Sequence, residues 1–144
     1  MVTMSGWFYW ALLSAVFAAL TAIFAKVGLE GINSDLATLV RTFVIVGVLS
    51  GFVYCTGQWT NPLGLSTKTW AFLILSGLAT GASWVCYFRA LKIGNASQVA
   101  PVDKFSLVLV AIFAVAFLHE RPTIRDWTGI LMVAAGVLVL AFKK

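Results

Sequence analysis

The chain has 144 residues, of which 61% are apolar and only 10% charged. A water-soluble domain carries about a quarter charged residues, so the composition argues against a cytosolic enzyme or a secreted disulfide scaffold. Ten Lys and Arg against five Asp and Glu give a net charge of +5, but the cations form no stripe that could follow a phosphate backbone, and no nucleic-acid partner is expected.

With a mean hydropathy of +0.99, the chain reads as an all-α integral membrane protein, since each stretch of about 20 apolar residues can cross a bilayer as a helix. Five such stretches are expected, within a single domain spanning 1–144. The first runs from Trp7 to about Val27. It is too long and too aromatic for a signal-peptide core, and is expected to be retained. The second, about 34–55, follows Asn33, a candidate N-cap. The third runs from about Thr69 to Arg89, and the fourth from Ala96 to Leu118 behind a second candidate cap, Asn95. The fifth covers 123–142, where Thr123 and Asp126 have capping-box spacing. Gly28 and Gly31, the run Asn61-Pro62-Leu63-Gly64, Gly94-Asn95 and Arg121-Pro122 mark the turns.

Other features fit this frame. Trp7, Tyr9, Trp10, Trp59, Trp70 and Trp127 are expected to anchor at the lipid–water interface. Gly47 with Gly51, Gly77 with Gly81, and Ala11, Ala15 and Ala19 form small-residue stripes that predict close helix approach. Cys55 and Cys86 read as small core residues, with no metal or disulfide role. Five spans put the termini on opposite faces. Lys68, Arg121 and Arg125 fall on the N-terminal face, against Lys26, Arg89, Lys92, Lys143 and Lys144 on the other. The balance favours a cytoplasmic C-terminus by a small margin, which is also the bias of a chain inserting both ways.

The ionisable residues at membrane depth are the informative ones. A fourth span starting after Lys104 would reach only about 21 Å, short of the roughly 30 Å hydrocarbon core. Asp103 and Lys104 therefore belong inside it, as Arg41 belongs inside the second. Arg41 lies eight residues after Asn33 and Asp103 eight after Asn95, so each sits about 12 Å along its helix from the same face. Buried charges normally pair or line a wet cavity. The expected arrangement pairs Asp103 with Arg41. Lys104, about 100° around an ideal helix from Asp103, would point into a cavity instead. Pro101 loosens the turn just before them. Trp84 and Tyr87 are candidate cavity walls, Arg89 is expected to snorkel to the interface, and Glu120 is a further candidate at the far end of span four. His119 has no Ser or Cys nucleophile to serve, and no metal box or phosphate loop is present, so the chain reads as a non-enzyme without a cofactor.

The run Tyr87-Phe88-Arg89-Ala90-Leu91 leading into Ala96-Ser97-Gln98-Val99-Ala100-Pro101 resembles the EamA domain of the drug/metabolite transporter superfamily. Leu118-His119-Glu120 is similar to its Leu-Gly-Glu signature, with His119 in place of the usual Gly, and Gly129 and Gly136-Val137 match the glycines of its last span. Lys26 and Arg41 also fall where that family often places basic residues. The resemblance implies a secondary transporter of small metabolites or amphiphiles. Many members carry two five-span repeats, so a single repeat implies a homodimer, antiparallel or parallel. The related small multidrug resistance proteins place an essential glutamate in their first span, whereas no acid lies between Trp7 and Val27 here.

A cluster of two cations and one anion suits an anionic or zwitterionic substrate group better than a coupling proton. The leading expectation is alternating-access transport, by export or exchange, of a small polar, anionic or amphiphilic metabolite across a bacterial inner membrane. Arg41, Asp103 and Lys104 would form its site. The alternatives are a flippase subunit for an anionic lipid-linked intermediate and a structural subunit that does not transport.

Overall fold

The computed structural model describes residues 6–141, which are helical apart from their connections. Five helical segments are long and apolar enough to cross a membrane, as the composition requires. The chain divides into two compact units, Met1–Ile93 and Gly94–Lys144.

The first unit holds α1 (Gly6–Gly28), α2 (Ser34–Cys55) and α3 (Thr67–Ile93), and α3 packs against both of the others. Asn33 caps α2 as predicted, its Oδ1 accepting the N–H groups of Asp35 at 2.8 Å and Leu36 at 3.3 Å. Ser66 supplies the start signal for α3, its Oγ accepting the Thr69 N–H at 3.1 Å. That places the helix start at Thr67, two residues ahead of the predicted 69. Between α2 and α3, a single 3-10 turn (Pro62–Gly64) is held by the indole of Trp70, which donates to the Pro62 carbonyl at 3.2 Å.

The buried residues of this unit gather at one end. Ala22, Leu29, Thr38, Phe88 and Leu91 are all buried there, and Thr38 satisfies its hydroxyl on the Ser34 carbonyl at 2.8 Å. Two lysines tie the same end by exchanging caps. Lys26 of α1 donates to the Leu91 carbonyl of α3 at 2.6 Å. Lys92 of α3 donates to the carbonyls of Leu29 and Ile32, just beyond α1. Carbonyls in and just after a last helical turn lack intrahelical partners, and a cation there also meets the negative end of the dipole. These bonds carry α3 to Ile93, past its predicted end at Arg89.

The second unit holds α4 (Ala96–Asp103), α5 (Ser106–Leu118) and α6 (Ile124–Ala141), with α6 packed against both α4 and α5. The predicted fourth span therefore occurs as two helices. Pro101 has no N–H to offer the Ser97 carbonyl, and the backbone tightens after it. Lys104 donates to the Pro101 carbonyl, Phe105 to Val102, Leu107 to Lys104 and Val108 to Phe105, each at 3.0 Å. These four bonds of the i to i+3 kind, donated by residues 104, 105, 107 and 108, make a tightened turn that joins the two helices inside the span. Asn95 has the extended backbone of a cap (φ −73°, ψ 137°) but makes no side-chain capping bond; its amide instead lies 3.5 Å from Gln98 Oε1.

The Thr123–Asp126 capping box forms as predicted. The Asp126 carboxylate accepts from the Thr123 N–H and hydroxyl, both at 2.8 Å, and Thr123 Oγ1 accepts the Asp126 N–H at 3.3 Å. The predicted end of this span at Phe142, with Lys143 and Lys144, lies outside the described residues.

Two sequence expectations are corrected. Cys55 and Cys86 are exposed rather than core residues. A Cβ placed at Gly47, Gly51, Gly77 or Gly81 would meet nothing within 4 Å, so the glycine stripes make no close helix contact among the described residues. Helix α5 ends at His119, which adopts φ 55° and ψ 27°, a left-handed conformation that costs a side-chain-bearing residue about 1 kcal/mol relative to glycine. The position asks for the glycine that the Leu-Gly-Glu signature supplies. His119→Gly should therefore raise stability by about 1 kcal/mol, read as a higher melting temperature in detergent, whereas His119→Val should lower it.

Candidate functional site

Arg41 is half-buried on α2. Its guanidinium carbon lies 4.4 Å from the ring centre of Trp84 and 5.3 Å from that of Phe88, both on α3. Trp84 and Phe88 are one helical turn apart, so they present two rings on one stripe of α3. Tyr87 meets Phe88 edge-on, with ring centres 6.2 Å apart. Trp84, expected as a cavity wall, is thus the main platform under the cation.

Beside this stack lies a cavity of about 420 Å³ lined mainly by α1 and α2. Thr21, Phe24 and Ala25 line it from α1, Leu36, Val40 and Arg41 from α2, and Phe88 from α3. Arg41 is the one charged group in that lining. The sequence reading named no α1 residue as a cavity wall, because nothing in that apolar run distinguishes one face from another. Thr21 shares that stretch with a second small hydroxyl residue, Ser14, so its hydroxyl alone does not pick it out.

The same unit holds an ion pair that sequence reasoning missed. Arg89 donates from Nε to Asp35 Oδ1 at 2.9 Å and from Nη2 to Oδ2 at 2.7 Å. This parallel fork binds α3 to the first turn of α2. Arg89 therefore spends its charge on a carboxylate rather than simply snorkelling to the interface, although its side chain stays 63% exposed. The two residues lie 54 positions apart, a separation without periodic signature; the clue was an acid in the first turn of one span facing a cation in the last turns of the next. Asp35→Asn and Arg89→Gln should each lower the melting temperature, and the double variant should lose less than the sum of the singles. Strict additivity in detergent melts would deny the coupling.

In the second unit, Asp103 closes α4 and Lys104 begins the joint. Lys104 Nζ lies 3.3 Å from Asp103 Oδ2, so the two side chains meet, contrary to the expectation from ideal helical spacing. The physical reason is the reach of the lysine, whose flexible four-carbon stem lets its ammonium fold back onto the neighbouring carboxylate despite the angle between the two Cβ directions. Asp103 is half-buried and Lys104 exposed. Pro101 is half-buried two residues earlier, and Glu120 is exposed beyond the left-handed turn at His119. Among the described residues no cluster of His, Cys, Asp and Glu could hold a metal ion.

Helices long enough to cross a membrane, an arginine stacked beside an apolar cavity and a proline-broken segment carrying charge are features that transmembrane carriers use. The chain belongs to the EamA-like transporter family, which it matches over residues 5–142. It is 60% identical, over 94% of its length and 96% of the other's, to an uncharacterized transporter in the cobO 3' region of a Sinorhizobium species. Human solute carrier family 35 member G1 is 29% identical over 91% of this chain, which spans 35% of that longer protein. A probable 4-amino-4-deoxy-L-arabinose-phosphoundecaprenol flippase subunit, ArnE, from Yersinia pestis is 26% identical over 58% of the chain and 75% of its own length. No solved structure matches the chain.

Proposed function

We propose that this chain is a secondary transporter that carries a small polar, anionic or amphiphilic metabolite by alternating access, exporting or exchanging it across a bacterial inner membrane. The observation that carries the reading is Arg41, a cation at membrane depth beside a cavity of about 420 Å³, where a charge is costly unless it is used. Asp103 and Lys104, at the joint in the broken span, are proposed as the second set of groups that meet substrate or coupling ion, with Trp84, Tyr87, Pro101 and Glu120 in supporting roles. Freed backbone groups at such breaks are a recurrent means of holding solutes and ions in transporters.

The working unit is proposed to be one domain, 1–144, acting as a homodimer. The uncontacted glycines of α2 and α3 support close approach by a second copy. The weak charge asymmetry is consistent with an antiparallel pair as well as a parallel one, and tag accessibility at both termini in intact cells separates them: mixed accessibility supports the antiparallel pair, and a single orientation removes it. Transport itself is tested by uptake or efflux with purified protein in sealed vesicles. Gradient-driven solute movement absent from protein-free vesicles supports the reading; its absence across solute classes would leave a structural subunit. The similarity to ArnE favours one second reading, a flippase subunit for an anionic lipid-linked intermediate. A lipid-scrambling assay on the same vesicles separates it from solute transport.

A further inference from the structure

We infer that the cavity beside α1 and α2 binds the carboxylate of a single-chain or aromatic amphiphile, with Arg41 as the hook and the apolar lining as the sleeve for the body. The inference rests on the transporter reading and narrows its substrate class.

The argument starts from which part of the guanidinium is occupied. Trp84 and Phe88 lie 4.4 and 5.3 Å from its carbon, as cation–π contacts do. Such contacts use ring quadrupoles and leave in-plane N–H donors unspent, and a guanidinium has five of these. Within its unit, Arg41 makes no hydrogen bond or ion pair to any described residue. By contrast, the other arginine of α2 and α3, Arg89, has its fork filled by Asp35. A half-buried cation with unmet donors draws an anion, and a planar fork fits a planar carboxylate with two parallel bonds.

The lining then sets the rest of the ligand. Phe24, Leu36, Val40 and Phe88 are apolar, and Thr21 is the one side-chain hydroxyl among them. A volume of about 420 Å³ lies in the range of pockets that enclose a small organic molecule. A dianion would leave a charge unmatched against this wall, and a cation would meet Arg41 with like charge. One negative group on an apolar body satisfies both halves of the site.

The test uses the full chain in phosphatidylcholine nanodiscs with three probes of nearly matched body: phenylbutyrate, phenylbutanol and phenylbutylamine. Calorimetric titration should show the acid binding about tenfold or more tightly than the alcohol, the worth of a charge-assisted bond, with no binding of the amine. Arg41→Gln should erase the preference for the acid. Leu36→Trp, which fills the cavity and leaves Arg41 in place, should weaken the acid and alcohol alike, so the site stays testable should Arg41→Gln fail to fold. Equal affinity for acid and alcohol, or acid binding untouched by both variants, would overturn the inference. So would a phospholipid retained in the cavity, seen by native mass spectrometry as a copurifying mass lost from Leu36→Trp. No gradient is needed, so the outcomes separate: a chain that binds the acid but moves nothing loses the transport reading, and one that moves other solutes without binding the acid loses only this site.

Discussion

Vesicles carrying Arg41→Gln should transport at least about tenfold more slowly than those carrying the parent chain, with folding retained. The fold does not depend on the charge: the buried residues of the first unit cluster around Leu91 and Phe88, and the unit is tied by Lys26, Lys92 and the Asp35–Arg89 fork. What the substitution removes is a cation held against two rings beside the cavity. Loss of a charge-assisted hydrogen bond is worth about 1.5–3 kcal/mol, which corresponds to roughly tenfold to a hundredfold. Arg41→Lys should recover part of the rate, because an ammonium keeps the charge but neither the flat stacking surface nor the fork. Initial rates in vesicles reconstituted at matched protein density decide the matter. An Arg41→Gln chain that transports at the parental rate would remove Arg41 from the site.

The second large effect is expected at Pro101, with opposite signs in stability and activity. Pro101→Ala restores an N–H to the span, so the Ser97 carbonyl regains its donor and the 3-10 bonds from Pro101 to Val108 can revert to α-helical ones. A proline inside a helix costs about 3 kcal/mol, so the variant should melt higher. It should also transport about tenfold more slowly or worse, because a continuous helix engages the Ser97 carbonyl that the proline leaves without an N–H donor at the break. Melting temperature and initial rate measured on one preparation give the answer. Raised stability with undiminished transport would make the joint a packing feature alone.

The sequence made some of this legible and hid the rest for definable reasons. Asn33 and the Thr123–Asp126 box were readable because capping is local: donor and acceptor lie within three residues. The spans were readable because hydrocarbon thickness dictates length. The ends of α3 were displaced from prediction by a side-chain cap at Ser66 and by the lysine exchange with α1, neither of which follows from hydropathy. Pro101 announced a loosened turn, but not that the Lys104 side chain would fold back onto Asp103. Arg41 was legible as a misplaced charge. Its platform was half-legible, since Trp84 was named as a wall and Phe88 was not. The α1 lining was invisible, as apolar positions on a lipid-bathed helix carry no polar alternation to reveal which face turns inward.

The lysine exchange carries a consequence for how such a chain can evolve its orientation. Cations beside spans act as insertion signals read during synthesis, but Lys26, Lys92 and Arg89 are also fasteners that join α1, α2 and α3. Removing one to flip the protein would loosen the very helices being inserted. Drift toward one orientation is therefore channelled to cations outside that clasp, such as Lys68, Arg121 and Arg125, where charges can be gained or shed without unpicking it.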